Sequence, residues 1–177
     1  GLGDKILVVD TQYGDLDVGN GDDRIEIQAA DGIALTGGRV IISSGKGNDT
    51  IIIHDDAFAS VLVYAGEGDD TITIGSKDGR IPLYTSSSLY GGDGDDIIAG
   101  NAGADYIEGG AGSDRLYGMA GEDILYGHTS TGGEVLVAFN PDDSESDFYD
   151  SIAGGDGGDH IYGSIHNDLI SGGAGDD

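Results

Sequence analysis

The stretch Gly91–Tyr126 reads GGDGDDIIA, GNAGADYIE, GGAGSDRLY, GMAGEDILY, four nine-residue units in direct succession. Each unit has Gly first, Gly fourth, a carboxylate sixth (Asp96, Asp105, Asp114, Asp123) and an aliphatic residue eighth (Ile98, Ile107, Leu116, Leu125). Self-similarity at a short fixed period is the signature of a solenoid, in which each repeat buries its apolar side only against its neighbours. The glycines supply the positive φ and close backbone approach that a tight turn needs. The aliphatic position reads as the inward residue of a short strand.

Upstream the pattern continues in a longer form. GNGDDRIEI (19–27), GKGNDTIII (45–53), GEGDDTITI (66–74) and GDGDDIIAG (92–100) align without a gap, and Leu16, Ile42, Val63 and Leu89 hold one offset before them. Each long coil therefore carries one glycine-aspartate turn and one unrelated turn, with Asp31-Gly32, His54-Asp55-Asp56 and Ser76–Gly79 as candidates for the latter. Ile72 and Ile74 are expected to point inward, Thr71 and Thr73 outward. The opening, GLGDKILVVD, is an eroded repeat with Gly1 and Gly3 lying 18 residues before Gly19 and Gly21, and with Lys5 where a ligand carboxylate should stand. Downstream the units lapse into GEVLVAF (133–139), expected as an ordinary strand, and the acidic loop NPDDSESDFYD (140–150). They resume as GGDGGDHIY (154–162), GSIHNDLIS (163–171) and GGAGDD (172–177), where the array is expected to continue beyond Asp177.

The reading that follows is all-β, a parallel β-roll or β-helix solenoid in one continuous domain. Its sections are a degenerate long-coil part (1–90), a tight part with 18 residues per coil (91–126), an interrupted coil (127–153) and a second tight part (154–177).

Composition narrows the function. Asp and Glu number 34 against 7 Lys and Arg, a net charge of −27. Such a field repels nucleic acid and anionic lipid surfaces. No apolar run approaches the ~18 residues of a membrane span. Alone, so much acid and glycine would leave the chain self-repelling and disordered. A divalent cation turns the same carboxylates into ligands. With no cysteine there is neither a disulfide framework nor a thiolate metal site. Ca²⁺, a hard ion taking about 6–8 oxygens, fits what remains. One six-residue turn cannot supply that many oxygens, so two turns stacked one coil apart are expected to share each ion.

Units alternate between two edges, so partners should lie 18 residues apart in the tight part. One edge is expected to carry Asp23, Asp49, Asp70, Asp96 and Asp114, then Asp159 and Asp177; the other carries Asp105, Asp123 and Asp168. Backbone carbonyls of Gly92, Gly94, Gly110, Gly112, Gly155 and Gly157 are candidate additional ligands. A carboxylate of the loop 140–150 is expected to complete a site on the second edge.

These units resemble the RTX (repeats-in-toxin, haemolysin-type) calcium-binding repeat, closely in 91–126 and 154–177 and in degenerate form in 19–74. Asn101, Met119 and Ser164 depart from the leading glycine pair, and His166 replaces the fourth-position Gly. The resemblance implies a β-roll that folds on extracellular calcium, type I secretion from a Gram-negative bacterium, and a structural part in an adhesin, toxin or secreted enzyme.

Competing motifs are weaker. Asp143, Glu145 and Asp147 imitate the first ligands of an EF-hand, but Phe148 stands at its obligatory glycine and Gly154 where its last Glu belongs. His54, His128, His160 and His166 form no HExxH, and no G-x-S-x-G occurs. No catalytic constellation emerges, and the fragment is read as non-enzymatic. Asn48-Asp49-Thr50 is formally a glycosylation sequon inside a metal turn. Tyr117, Tyr126 and Tyr162 at outward ninth positions and Tyr106 at an outward seventh form a row. It is either a cross-strand ladder or a surface for a polysaccharide or cell-surface ligand. A monomer is expected.

Overall fold

A computed structural model describes residues 5–9, 13–28, 39–54, 60–75, 86–101, 103–121, 123–127, 151–156, 160–162 and 169–174. All regular structure among them is strand. The strands are β1 (Lys5–Val9), β2 (Tyr13–Asp17), β3 (Arg24–Gln28), β4 (Arg39–Lys46), β5 (Thr50–His54), β6 (Ser60–Glu67), β7 (Thr71–Gly75) and β8 (Ser87–Asp93). They continue as β9 (Ile97–Ala99), β10 (Tyr106–Ala111), β11 (Arg115–Ala120), β12 (Ile124–Tyr126), β13 (Ser151–Asp156), β14 (His160–Tyr162) and β15 (Leu169–Ala174). Odd strands form one eight-stranded sheet and even strands one seven-stranded sheet, each in sequence order. Every pairing is parallel, so the chain winds from one sheet to the other and back, one coil at a time. This is the parallel β-roll that the repeat implied.

The eighth-position residues align in two columns. Leu16, Ile42, Val63, Leu89, Ile107, Leu125 and Ile161 are successive partners in the even sheet. Ile25, Ile51, Ile72, Ile98, Leu116 and Ile152 run likewise through the odd sheet. Most of these side chains are fully buried, and together they form one core between the sheets. The long coils add a second buried row: Ile27, Ile53 and Ile74 in the odd sheet, Val40 and Val61 in the even. Where the coil shortens, that row ends and the core is one aliphatic residue wide. Ile72 and Ile74 point inward and Thr73 outward, as the alternation predicts.

On the outer face of the even sheet, Tyr64, Tyr90, Tyr106, Tyr126 and Tyr162 form a continuous ladder with ring centroids 4.7–5.6 Å apart. Glu108, not tyrosine, is the register partner of Tyr90 and Tyr126. Tyr106, two residues earlier, leans across to fill the gap and donates its hydroxyl to Glu108 Oε2 at 2.9 Å.

One expectation about register is corrected. Lys5 pairs with Arg24, not with the ligand position, so it is Asp4 that precedes β1 as Asp23 precedes β3. A single deleted residue in the eroded first turn accounts for the shift. Further on, Arg115 pairs with Ser151 and Ile124 with His160. Among the described strands, β13 thus follows β11 in one sheet and β14 follows β12 in the other. Residues 133–139 lie outside the described residues, as do the second-turn candidates 31–32, 55–56 and 76–79.

Candidate metal centre on the two aspartate edges

The first edge consists of turns leading from an even strand to the next odd one. Its second- and fourth-position glycines all hold positive φ, among them Gly92 (121°), Gly94 (135°), Gly110 (118°) and Gly112 (134°). A Cβ on Gly110 would collide with the carbonyl oxygen of Gly92, and one on Gly112 with that of Gly94. Glycine is needed there for dihedral and for space. The candidate carbonyls of Gly92 and Gly94 thus lie against the next coil.

These turns deliver the sixth-position aspartates into a buried row. Asp23 N–H donates to Asp49 Oδ1 at 2.7 Å, Asp49 N–H to Asp70 Oδ1 at 2.7 Å, Asp70 N–H to Asp96 Oδ1 at 2.8 Å and Asp96 N–H to Asp114 Oδ1 at 2.9 Å. The spacings follow the coil lengths, 26, 21, 26 and 18 residues. On the second edge Asp105 N–H donates to Asp123 Oδ1 at 2.8 Å. The five first-edge aspartates are at most 3% exposed.

A carboxylate so deeply buried needs more than one amide. Oδ2 of Asp49, Asp70 and Asp96 is buried and has no hydrogen-bond partner. Burial pushes the Asp96 carboxyl up to about 8; the Asp70 N–H opposes this, and the charges of Asp114, Asp70 and Asp69 add to it. Burial likewise raises Asp70 to about 7, against the Asp49 N–H and with the charges of Asp49 and Asp69. Asp49 is raised by burial too. A bound divalent cation reverses these shifts by stabilising the anions.

The surroundings of Oδ2 offer further oxygens. A side-chain carbon on Gly91 would fall within 2.5 Å of both Asp96 Oδ2 and the carbonyl oxygen of Gly109. The same point beside Gly109 lies within 2.7 Å of Asp114 Oδ2 and Gly127 O. At each level a buried carboxylate oxygen and a carbonyl from the next coil converge where only glycine leaves room. Among the described residues no three carboxylate or imidazole side chains gather at one point. The donor set is therefore mixed carboxylate and carbonyl, all hard oxygen, and it suits Ca²⁺. The carbonyls of Gly109 and Gly127 were not singled out from sequence, although their leading place in the unit was the available signal.

Sequence reading also missed the fifth position. Asn48 N–H donates to Asp22 Oδ1, Asp69 N–H to Asn48 Oδ1, Asp95 N–H to Asp69 Oδ1 and Ser113 N–H to Asp95 Oδ1, all at 2.9–3.0 Å. This exposed ladder runs beside the buried one with donor and acceptor reversed. The doublets Asp22-Asp23, Asn48-Asp49, Asp69-Asp70 and Asp95-Asp96 were its trace in the sequence.

The assignment of the later aspartates to edges is corrected. β14 pairs with β12, which puts the turn ending at Asp159 on the second edge with Asp105 and Asp123. β15 pairs with β13 and β13 with β11, which puts the turn ending at Asp168 on the first edge after Asp114. The loop 140–150, expected to complete a site on the second edge, lies outside the described residues. Asp159, Asp168, Asp177, Gly157, Asp150, His128 and His166 lie outside the described residues; Gly155 is the register partner of Met119.

The model of the RTX calcium-binding nonapeptide repeat matches residues 61–76, 100–129 and 149–177, in four copies. Those three segments are similar to the RTX calcium-binding repeat. Calcium is the ion these repeats imply, in agreement with the donor set. The third match takes in Asp150. The RTX matches leave out residues 19–53, where the turns are nonetheless built alike, with positive φ at Gly19, Gly21, Gly45 and Gly47. Searches of curated proteins and of solved structures returned no match.

Proposed function

We propose that this chain is the calcium-binding structural module of a secreted or surface-exposed Gram-negative protein, folding on extracellular calcium to stiffen, export or present a neighbouring domain. One observation carries the reading: a file of buried aspartates whose outer oxygens at Asp49, Asp70 and Asp96 have no protein partner. In the calcium-poor cytoplasm those carboxylates and a net charge of −27 oppose compaction. At extracellular calcium levels, with sites of about 10⁻⁴–10⁻³ M, the ions neutralise both edges and folding follows binding. Asp96 and Asp114, with the carbonyls of Gly109 and Gly127, are the residues we assign to the best-formed first-edge sites. The role is structural and not enzymatic.

The alternative is a polysaccharide- or cell-surface-binding adhesin segment gripping its ligand by the tyrosine row. Against it stands the ring geometry: Tyr64 lies on Tyr90 at 17° and Tyr126 on Tyr162 at 8°. Faces that a sugar would stack on are turned to each other. Calorimetric titration with calcium tests the main reading. Asp96→Asn and Asp114→Asn are each expected to weaken sites on the first edge, and unchanged binding in both refutes it.

A further inference from the structure

Among the described residues, the first second-edge turn is the one ending at Asp105, and it differs from every first-edge turn described. At position two it carries Asn101 in place of glycine, and Asn101 does not take a positive φ. Its N–H instead turns inward and donates to Asp105 Oδ2 at 2.8 Å. Asp105 Oδ1 accepts from Ser87 N–H of the preceding coil at 2.7 Å. Both oxygens of this carboxylate are therefore held by backbone amides, whereas Asp96 has an amide, that of Asp70, on one oxygen only.

The Asn101 side chain completes the arrangement. Its Oδ1 accepts from Gly103 N–H at 2.6 Å, and its Nδ2 donates to Ser87 Oγ at 3.1 Å. Asn101, Ser87 and Asp105 are all at most 5% exposed. Ser87 occupies, in the last long coil, the register place that an aspartate holds above it. Ser87 itself brings no carboxylate to that register place.

Resting on the calcium reading above, we propose that the Ser87–Asn101–Asp105 network is a metal-independent clamp joining the long coils to the tight ones. Asn101 is its positioning residue. The amide donors of Asn101 and Ser87 do here what a cation does beside Asp96. A carboxylate accepting several N–H bonds is stable as the anion without metal. The module thus takes up fewer ions than its aspartate count suggests, and the seam where the second edge starts is fixed by protein contacts.

The test uses the full chain, calcium bound per chain by equilibrium dialysis, and the thermal midpoint in saturating calcium. Asn101→Ala is expected to keep the wild-type number of ions while lowering the midpoint by about 2–8 °C. Ser87→Ala, which removes one side-chain bond and leaves the backbone amide, is expected to do the same to a smaller extent and decides the matter if Asn101→Ala fails to fold. Loss of a bound ion in the decisive variant, or an unchanged midpoint, overturns the clamp. Asp96→Asn serves as the contrast and should lose an ion. If it does not, the first-edge calcium reading fails, while the clamp is still decided by the Asn101 and Ser87 variants.

Discussion

Met119 is the one non-glycine residue among those described with a positive φ, 80°, at a turn position that other coils give to glycine. A side chain in that region costs about 1–2 kcal/mol, while glycine's greater freedom in the unfolded chain costs about 0.5–1 kcal/mol. Met119 is half exposed, so little burial is lost on truncation. Met119→Gly should therefore stabilise by about 0.5–1 kcal/mol, measured by urea unfolding in saturating calcium. Gly110→Ala should do the reverse, by about 2–4 kcal/mol, because strain and collision with Gly92 O add. The raised carboxyls of Asp70 (about 7) and Asp96 (about 8) set a pH dependence, since an unfolded aspartate titrates near 3.8. Between about pH 4 and 8 the calcium-free fold holds protons that the unfolded chain has released. Its stability therefore falls as pH rises through that window and returns on acidification. In chelator the β signal by circular dichroism should therefore be larger at pH 5 than at pH 8, with a shallower dependence in Asp96→Asn. Calcium affinity should run the other way and weaken in acid, where ions compete with protons.

At the scale of single elements, the long and tight coils differ in what holds them. A long coil such as β6–β7 buries Val61, Val63, Ile72 and Ile74; the tight pair β10–β11 buries Ile107 and Leu116. Two further aliphatic side chains are worth about 3–6 kcal/mol per coil. Hydrogen exchange at limiting calcium should accordingly protect β5–β7 before β10–β12. Equal protection would mean that the wider core contributes nothing extra. The tyrosine ladder adds a seam along the even sheet. Removing one central ring breaks two contacts, so Tyr90→Ala should cost about 1–3 kcal/mol beyond its burial, resolved by a double-mutant cycle with Tyr64.

Over the whole molecule, the period told most of the story. Sixth-position aspartates and eighth-position aliphatics specify turn, strand and inward face locally, so the parallel roll, both core columns and the first-edge file from Asp23 to Asp114 could be read from the sequence. Parity could not. Residues 127–150 interrupt the pattern, and whether they hold a strand decides the edge on which Asp159, Asp168 and Asp177 fall. That depends on pairing between β11 and β13, a long-range contact with no local mark. Lys5 was misplaced for a similar reason, one missing residue shifting the register. The Asn101 clamp was hidden because the choice between a positive φ and an inward N–H is made by neighbours on the adjacent coil. Along the described first edge runs a buried file of like charges, which protein groups satisfy only in part at Asp49, Asp70 and Asp96. The most direct test of calcium-coupled folding is far-ultraviolet circular dichroism of the full chain at neutral pH, titrated from excess chelator with calcium. The β signal is expected to develop as free calcium passes about 10⁻⁴–10⁻³ M; the full β spectrum already present in chelator would contradict it.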